Sequence, residues 1–301
     1  MSPAVVLAQL AILAIAGIAI PIALMRMLAA RLAHTAPRVR NYRGREVFTG
    51  LGVVWVVWMA SLMVGAAVLD MAFAWRPAWI GTLVKAAPLV FGACALGMFD
   101  DLAGSGDPVK GFRGHVAALR RGEVTTGMLK LLGIGALSLV VAAQISGEPA
   151  MTPSYVGGLV LRASVMALCA NEINLFDLRP ARALKVYVLL LLVSCVVLAG
   201  FAASIKGAVS VVGVAVLSLA PVVAVWPYDA REQGLIGDAG SNAMGAYLGF
   251  IVAASMPLAG QVVVAALLLA ANVASERVSY SALIERTAPL RWLDRLGRPR
   301  D

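Results

Sequence analysis

The chain has 301 residues, of which 61% are hydrophobic and only 14% charged, against soluble averages of roughly 45–50% and 25%. That balance excludes a soluble globular protein, and the formal net charge of +9 therefore reads as membrane orientation and not as nucleic-acid binding. Uncharged runs of about 20 residues suit membrane-crossing helices, whereas a barrel would show alternating segments of about 10.

The expectation is an all-α polytopic membrane protein of about nine transmembrane helices, forming one transmembrane domain over 1–301. Residues 4–25 make the first span, too long for a signal-peptide core and expected to stay attached. Arg26, Arg31, Arg38, Arg40, Arg43 and Arg45 follow before a second span at about 48–69. By the positive-inside rule that loop, 26–47, is cytoplasmic and the N-terminus lies outside. A short link with Pro77 returns the chain through a third span, about 78–99, near whose outer end Lys85 can snorkel.

This third span delivers the run Gly97-Met98-Phe99-Asp100-Asp101-Leu102-Ala103-Gly104 to the cytoplasmic face. Two adjacent ionised carboxylates repel, so a chain that holds them at a membrane boundary calls for a compensating cation; the other reading is that they stop the span and face water. In loop 100–127, Phe112, Val116 and Leu119 recur at helical spacing among Lys110, Arg113, Arg120 and Arg121. That pattern suits a basic helix on anionic head groups, or else a solvated loop. His115 in this loop reads as solvated.

Span four, about 128–145, brings Lys130 to the interface that holds the two aspartates. Span five, about 155–170, contains Arg162, which marks an outer helix end or calls for a charged partner. It runs into Asn171-Glu172-Ile173-Asn174-Leu175-Phe176-Asp177. Continued helix would carry Asn171, Asn174 and Asp177 along one side, a polar ridge that is costly unless it lines a wet cavity. Loop 171–185 leads to spans six and seven, about 186–203 and 207–226, which make a hairpin around Lys206.

Loop 227–241 ends in Gly237-Asp238-Ala239-Gly240-Ser241, where glycines allow the close backbone approach a phosphate or metal needs; a polar turn that starts the next helix is the alternative. Spans eight and nine, about 242–257 and 260–275, leave the tail 276–301, with its six arginines, in the cytoplasm. On this layout every basic residue except Arg76, Lys85, Arg162 and Lys206, and every acidic residue except Asp70 and Glu148, falls on the cytoplasmic side. Cys94, Cys169 and Cys195 sit inside apolar runs without paired spacing and read as small buried hydrophobes.

Convergence carries the chemistry. Aspartates from three loops on one face, with an ammonium and two amides, can hold a metal-bound diphosphate against an attacking phosphate. No serine elbow, Cys–His pair, HExxH or phosphate-binding glycine loop occurs, so the nucleophile is expected from a substrate.

At these residues the chain resembles the superfamily of polyprenyl-phosphate N-acetylhexosamine-1-phosphate transferases, which includes phospho-N-acetylmuramoyl-pentapeptide transferase. The resemblance covers most of 40–290. Its carriers are the Asp-Asp of GMFDDLAG, Lys130 in TTGMLK, NEINLFD at 171–177 and GDAGS at 237–241. It implies transfer of a sugar 1-phosphate from a nucleotide diphosphate sugar, expected to be a UDP-N-acetylhexosamine, to polyprenyl phosphate with Mg²⁺. The nucleoside monophosphate is released.

By the same resemblance Asp238 would ligate Mg²⁺, Asp100 and Asp101 would position the metal-diphosphate or deprotonate the lipid phosphate, and Lys130 would bind phosphate. Asn171, Asn174 and Asp177 would shape the nucleotide-side pocket. The implied setting is the cytoplasmic (inner) membrane and cell-envelope glycan synthesis, with no nucleic-acid partner; a homodimer is the candidate assembly.

The chain departs from that pattern after Asp177. Leu178-Arg179-Pro180-Ala181 stands where the family usually continues glycine-x-aspartate-glycine. The triple histidine of the peptidoglycan branch is absent, His34 and His115 being the only histidines. The competing expectation is a non-catalytic lipid-handling or transporter-like protein on the same fold, although transporters tend to place ionisable groups at the bilayer midplane.

Overall fold

The computed structural model describes residues 2–103, 111–147, 152–201 and 205–298. Gly104, Lys110 and Glu148, singled out above, lie outside the described residues, as do the side chains of Phe112, Arg113 and Lys206.

The first apolar run forms α1 (Pro3–Ala14), a π-helical turn (Ile15–Ala19) and α2 (Ile20–Thr35). Pro21 has no N–H to give, which accounts for the wider turn ahead of it. The Ala16 carbonyl accepts instead from Ser61 Oγ at 2.5 Å. The first loop holds a small antiparallel hairpin, β1 (Arg38–Arg40) and β2 (Glu46–Phe48), which hydropathy alone does not announce.

Next come α3 (Val54–Phe73), α4 (Ala78–Val84) and α5 (Ala87–Ala103). The expected third span is thus two helices, broken at Lys85 and Ala86, because the ring and missing N–H of Pro88 disfavour continuous helix. The loop helix α6 (Gly111–Arg120) precedes α7 (Thr126–Ile145), α8 (Pro153–Phe176), α9 (Arg182–Phe201) and α10 (Ile205–Asp229). Then follow α11 (Gly237–Ser255), α12 (Leu258–Ser275) and the tail helices α13 (Tyr280–Arg286) and α14 (Ala288–Arg295).

Among the described residues, eight segments are long and apolar enough to cross a membrane: Pro3–Thr35, Leu51–Phe73, Ala78–Ala103, Thr126–Ile145, Pro153–Phe176, Arg182–Gly200, Ser210–Asp229 and Leu258–Ser275. The protein is an all-α polytopic membrane protein. The run expected at about 242–257 is α11, which is not among the eight. It forms the centre of the bundle, with every residue from Ala239 to Ala253 buried.

Small residues let α11 lie that deep, since without Cβ atoms two helix backbones can touch. A Cβ on Gly245 would lie 2.6 Å from the Cys169 carbonyl oxygen, and one on Gly249 2.7 Å from Met166 Cα. Aromatic side chains close the remaining gaps. Trp58 meets Tyr247 edge-on at 5.0 Å between ring centroids, and the Tyr247 hydroxyl pairs with Ser218 Oγ at 2.8 Å.

The polar chemistry collects at one end of this bundle. Leu235 N donates to Phe48 O at 2.9 Å and Leu51 N to Leu235 O at 3.2 Å, tying the first loop to loop 227–241. Glu232 reinforces that tie by accepting from Asn41 Nδ2 at 2.9 Å, Tyr42 OH at 3.2 Å and Arg43 Nε at 3.1 Å. Arg162, the puzzle of span five, donates to Ser146 Oγ at 3.1 Å. Ser146 caps the C-terminus of α7, the helix end that favours a cation.

Candidate functional site

Lys130 lies in the first turns of α7, so its long stem can run up toward the polar end of the bundle while the ammonium meets carboxylates there. Its Nζ donates to Asp100 Oδ2 at 2.7 Å and also pairs with Asp238 Oδ2. One cation thus joins carboxylates from the end of α5 and the start of α11. All three side chains are mostly buried.

Asp101 is used differently from its neighbour. Its Oδ1 accepts from the Asp238 N–H at 3.0 Å and its Oδ2 from the Ala239 N–H at 3.2 Å. These are two of the donors a helix start leaves without an internal partner. Gly237 makes the approach feasible with a left-handed backbone, φ +62°. Gly97, one turn before the aspartates, faces the Asp238 carbonyl so closely that a Cβ there would lie 2.2 Å from it.

The ridge predicted on α8 divides. Asn174 Oδ1 accepts from Ser241 Oγ at 2.6 Å, which attaches it to the first turn of α11. Asn171 instead donates to Asn272 Oδ1 of α12 at 2.5 Å, and Asn272 donates in turn to Glu172 Oε2 at 2.9 Å. The reason is rotation: three residues of helix turn a side chain through about 300°, so the ridge winds past one neighbour to the next. Asp177 caps the end of α8. Burial, with the like charges of Asp229, Asp238 and Asp101, pushes its carboxyl well above the usual carboxylate range.

Asp177 also lines a cleft of about 410 Å³ with Arg40, Asn41, Tyr42, Arg179 and Ser281. The Arg179 guanidinium lies 4.2 Å from the Tyr42 ring centroid, a cation–π stack on the cleft wall. Leu178 and Pro180 line it too, so the Leu178-Arg179-Pro180 segment belongs to this wall.

Several contributors went unread in the sequence. Asp229, only 1% exposed, accepts from the Ala181 N–H at 2.6 Å through Oδ2 and holds the turn after Asp177 in place. Tyr42 and Glu232 carried no local signal beyond lying in polar loops between apolar runs. His115, expected in solvent, is half-buried with Nδ1 2.7 Å from Thr125 Oγ1. That hydroxyl also caps α7 by accepting from Met128 N, so His115 seats the loop helix against the helix that carries Lys130.

The donors available here are carboxylate and amide oxygens, the hard set that suits Mg²⁺. Among the described residues no three His, Cys, Asp or Glu side chains close on one point as a finished cage. Mg²⁺ needs none, since it is commonly held by one or two carboxylates together with waters and substrate phosphates. The residues present therefore fit that ion.

Fold and site define a multi-pass α-helical membrane protein with a carboxylate-rich site at one end of its bundle. No protein-family model and no curated protein matches the chain. Any narrower assignment rests on its own motifs and geometry.

Proposed function

We propose that this protein is a membrane phosphoglycosyl transferase, moving a sugar 1-phosphate from a nucleotide diphosphate sugar, a UDP-N-acetylhexosamine in the first instance, to polyprenyl phosphate. The observation that carries the reading is Lys130 bridging Asp100 and Asp238 while Asp101 holds the start of α11. A scaffold protein has no need to gather these groups from three separate segments.

In the proposed reaction an oxygen of the lipid phosphate attacks the sugar-bearing phosphorus of the donor. The bond from that phosphorus to the bridging oxygen breaks, and the nucleoside monophosphate leaves with that oxygen. Lys130 binds phosphate and offsets the negative charge that gathers in the transition state. Asp100 positions the Lys130 ammonium and is the carboxylate available to take a proton from the lipid phosphate. Asp101 acts as a positioning residue through α11. Mg²⁺, held by Asp238, would supply Lewis-acid stabilisation of the diphosphate. The cleft beside Asp177 would receive the nucleotide, with Tyr42 and Arg179 offering a stacking surface.

The accompanying topology is nine spans with α11 counted among them, the N-terminus outside and the tail in the cytoplasm of a cell whose inner membrane holds the protein. The arginine-rich loops support it. The test is incubation of purified protein with polyprenyl phosphate, Mg²⁺ and a panel of nucleotide sugars, with detection of released nucleoside monophosphate. Release that depends on both the lipid phosphate and Mg²⁺ is expected. No release from any donor with an intact, folded protein would remove the transferase reading in favour of a non-catalytic lipid-handling role.

A further inference from the structure

The last helix among the described residues, α14, has unusual surroundings. No residue of α14 is buried, and Leu290, Trp292, Leu293 and Leu296 at its end are 43%, 65%, 48% and 52% exposed. At about 100° per residue these four occupy one continuous side of the helix, while Arg291 and Arg295 fall on the opposite side. Exposed apolar residues on one side and arginines on the other is the pattern of a helix lying in a membrane interface.

Amphipathicity alone would leave the occupant of that side open, but the docking of α14 sets its height. Asp294 accepts a two-pronged contact from Arg182, Nε at 2.8 Å and Nη2 at 3.0 Å, and a further bond from Arg298 at 2.5 Å. Lys185 Nζ donates to the last carbonyls of the helix, Asp294 O at 2.6 Å and Leu293 O at 3.2 Å. Arg182 and Lys185 belong to the first turn of the membrane-crossing segment Arg182–Gly200.

Just beyond α14, a Cβ on Gly297 would lie 3.5 Å from the ring of Trp226, near the end of the crossing segment Ser210–Asp229. Two span ends therefore grip the end of α14 at the boundary where hydrocarbon gives way to water, the depth at which Trp concentrates.

We infer that α14 is an interfacial helix that rests its Leu290–Trp292–Leu293–Leu296 side on an anionic lipid surface. The exposed arginines Arg286, Arg291 and Arg295 supply the charge complementarity, since basic residues next to an anionic leaflet are drawn to its head groups. Arg298 of the same segment donates to the Pro180 carbonyl at 2.9 Å, and Pro180 lines the cleft beside Asp177. Lipid contact therefore reaches the cleft wall through one short chain of bonds. The inference depends on the membrane fold alone and stands whether or not the chain transfers a sugar phosphate.

The experiment uses the full chain with Cys94, Cys169 and Cys195 replaced by alanine and one new cysteine, Leu293→Cys or Arg295→Cys, carrying a polarity-sensitive dye. Each is reconstituted in vesicles of phosphatidylcholine alone or of an equal mixture with phosphatidylglycerol, with brominated acyl chains as the quencher. In the mixed vesicles the dye at 293 should be blue-shifted and quenched severalfold more than the dye at 295. The difference should shrink in phosphatidylcholine alone and at high salt. Equal quenching at both positions, or a dye at 293 that reports water in both vesicles, overturns the inference. Quenching at 293 that is the same in both vesicles overturns its anionic part. Both positions are exposed, and Leu296→Cys on the same side gives an independent reading if the first variant is poorly made.

Discussion

Gly237 and Asp101 fit each other at the start of α11: a Cβ on Gly237 would lie 2.6 Å from Asp101 Oδ2. Gly237→Ala therefore meets two penalties. A left-handed backbone with a Cβ costs about 1–2 kcal/mol, and the new methyl pushes the carboxylate off the N–H groups of Asp238 and Ala239. The expected result is a lower unfolding temperature in detergent and a larger proportional loss of turnover, because Asp238 moves with the helix start. A variant with normal turnover would show that the contact has no bearing on the site.

Lys130→Met keeps most of the apolar stem and removes the ammonium. Asp100 and Asp238 then face each other without their cation, and breaking a buried pair by deleting one partner typically costs about 3–5 kcal/mol. Under the proposed function, turnover falls by ~100-fold or more. Thermal unfolding and single-turnover assays on the same preparation separate the two effects. Lys130→Arg retains the charge but replaces a compact ammonium with a larger planar fork, and should recover stability more than rate.

Asp238→Asn is expected to keep the fold and lose turnover by ~100-fold or more, since an amide is a poor ligand for a hard cation and carries no charge. Its Mg²⁺ dependence should move to higher concentration. Wild-type turnover with an authentic donor at the same Mg²⁺ concentration would falsify the metal assignment.

The docking of the tail should depend on pH in a definite direction. Burial alone would raise the Asp294 carboxyl, but hydrogen bonds and charge from Arg182, with the charges of Arg298 and Lys185, hold it below the usual carboxylate range. A carboxyl depressed on folding contributes stability that is fully present above its unfolded pKa, about 3.9, and is lost as pH falls through the lower folded value. The tail should therefore stay protected from protease at neutral and mildly acidic pH and be released only in stronger acid. Asp294→Asn should release it at neutral pH, since it leaves Arg182, 3% exposed, without its carboxylate.

Cysteine labelling from either side of the membrane checks the proposed orientation. Ser279→Cys at the start of α13, an exposed position, should react only with reagent on the cytoplasmic side. Labelling of position 279 from outside alone would overturn the nine-span layout.

Hydrocarbon thickness imposes about 20 apolar residues on any helix that crosses it, which is why the bundle, its helical class and the gathering of charge could be read from the linear chain. The loop helix α6 was legible too, because Phe112, Val116 and Leu119 repeat at its period. Contacts between distant segments leave no such mark. Nothing near Lys130 says that it reaches Asp100 and Asp238 together, and nothing near Asp101 says that it caps a helix beginning at Gly237.

Asn171 and Asn174 look alike at the level of spacing, yet the turn of α8 sends one to Asn272 and the other to Ser241. Asp229, Glu232 and Asp294 were invisible as partners for the same reason. Each acts on a group far away in the chain, and an ion pair or a single hydrogen bond has no periodicity to announce it. Composition and spacing thus determined that this protein crosses the membrane many times and keeps its acids at one end. Only the packing of glycine-lined α11 against α5 and α8 decided which of those acids share a cation, because helix rotation and close backbone approach are properties of neighbours in space.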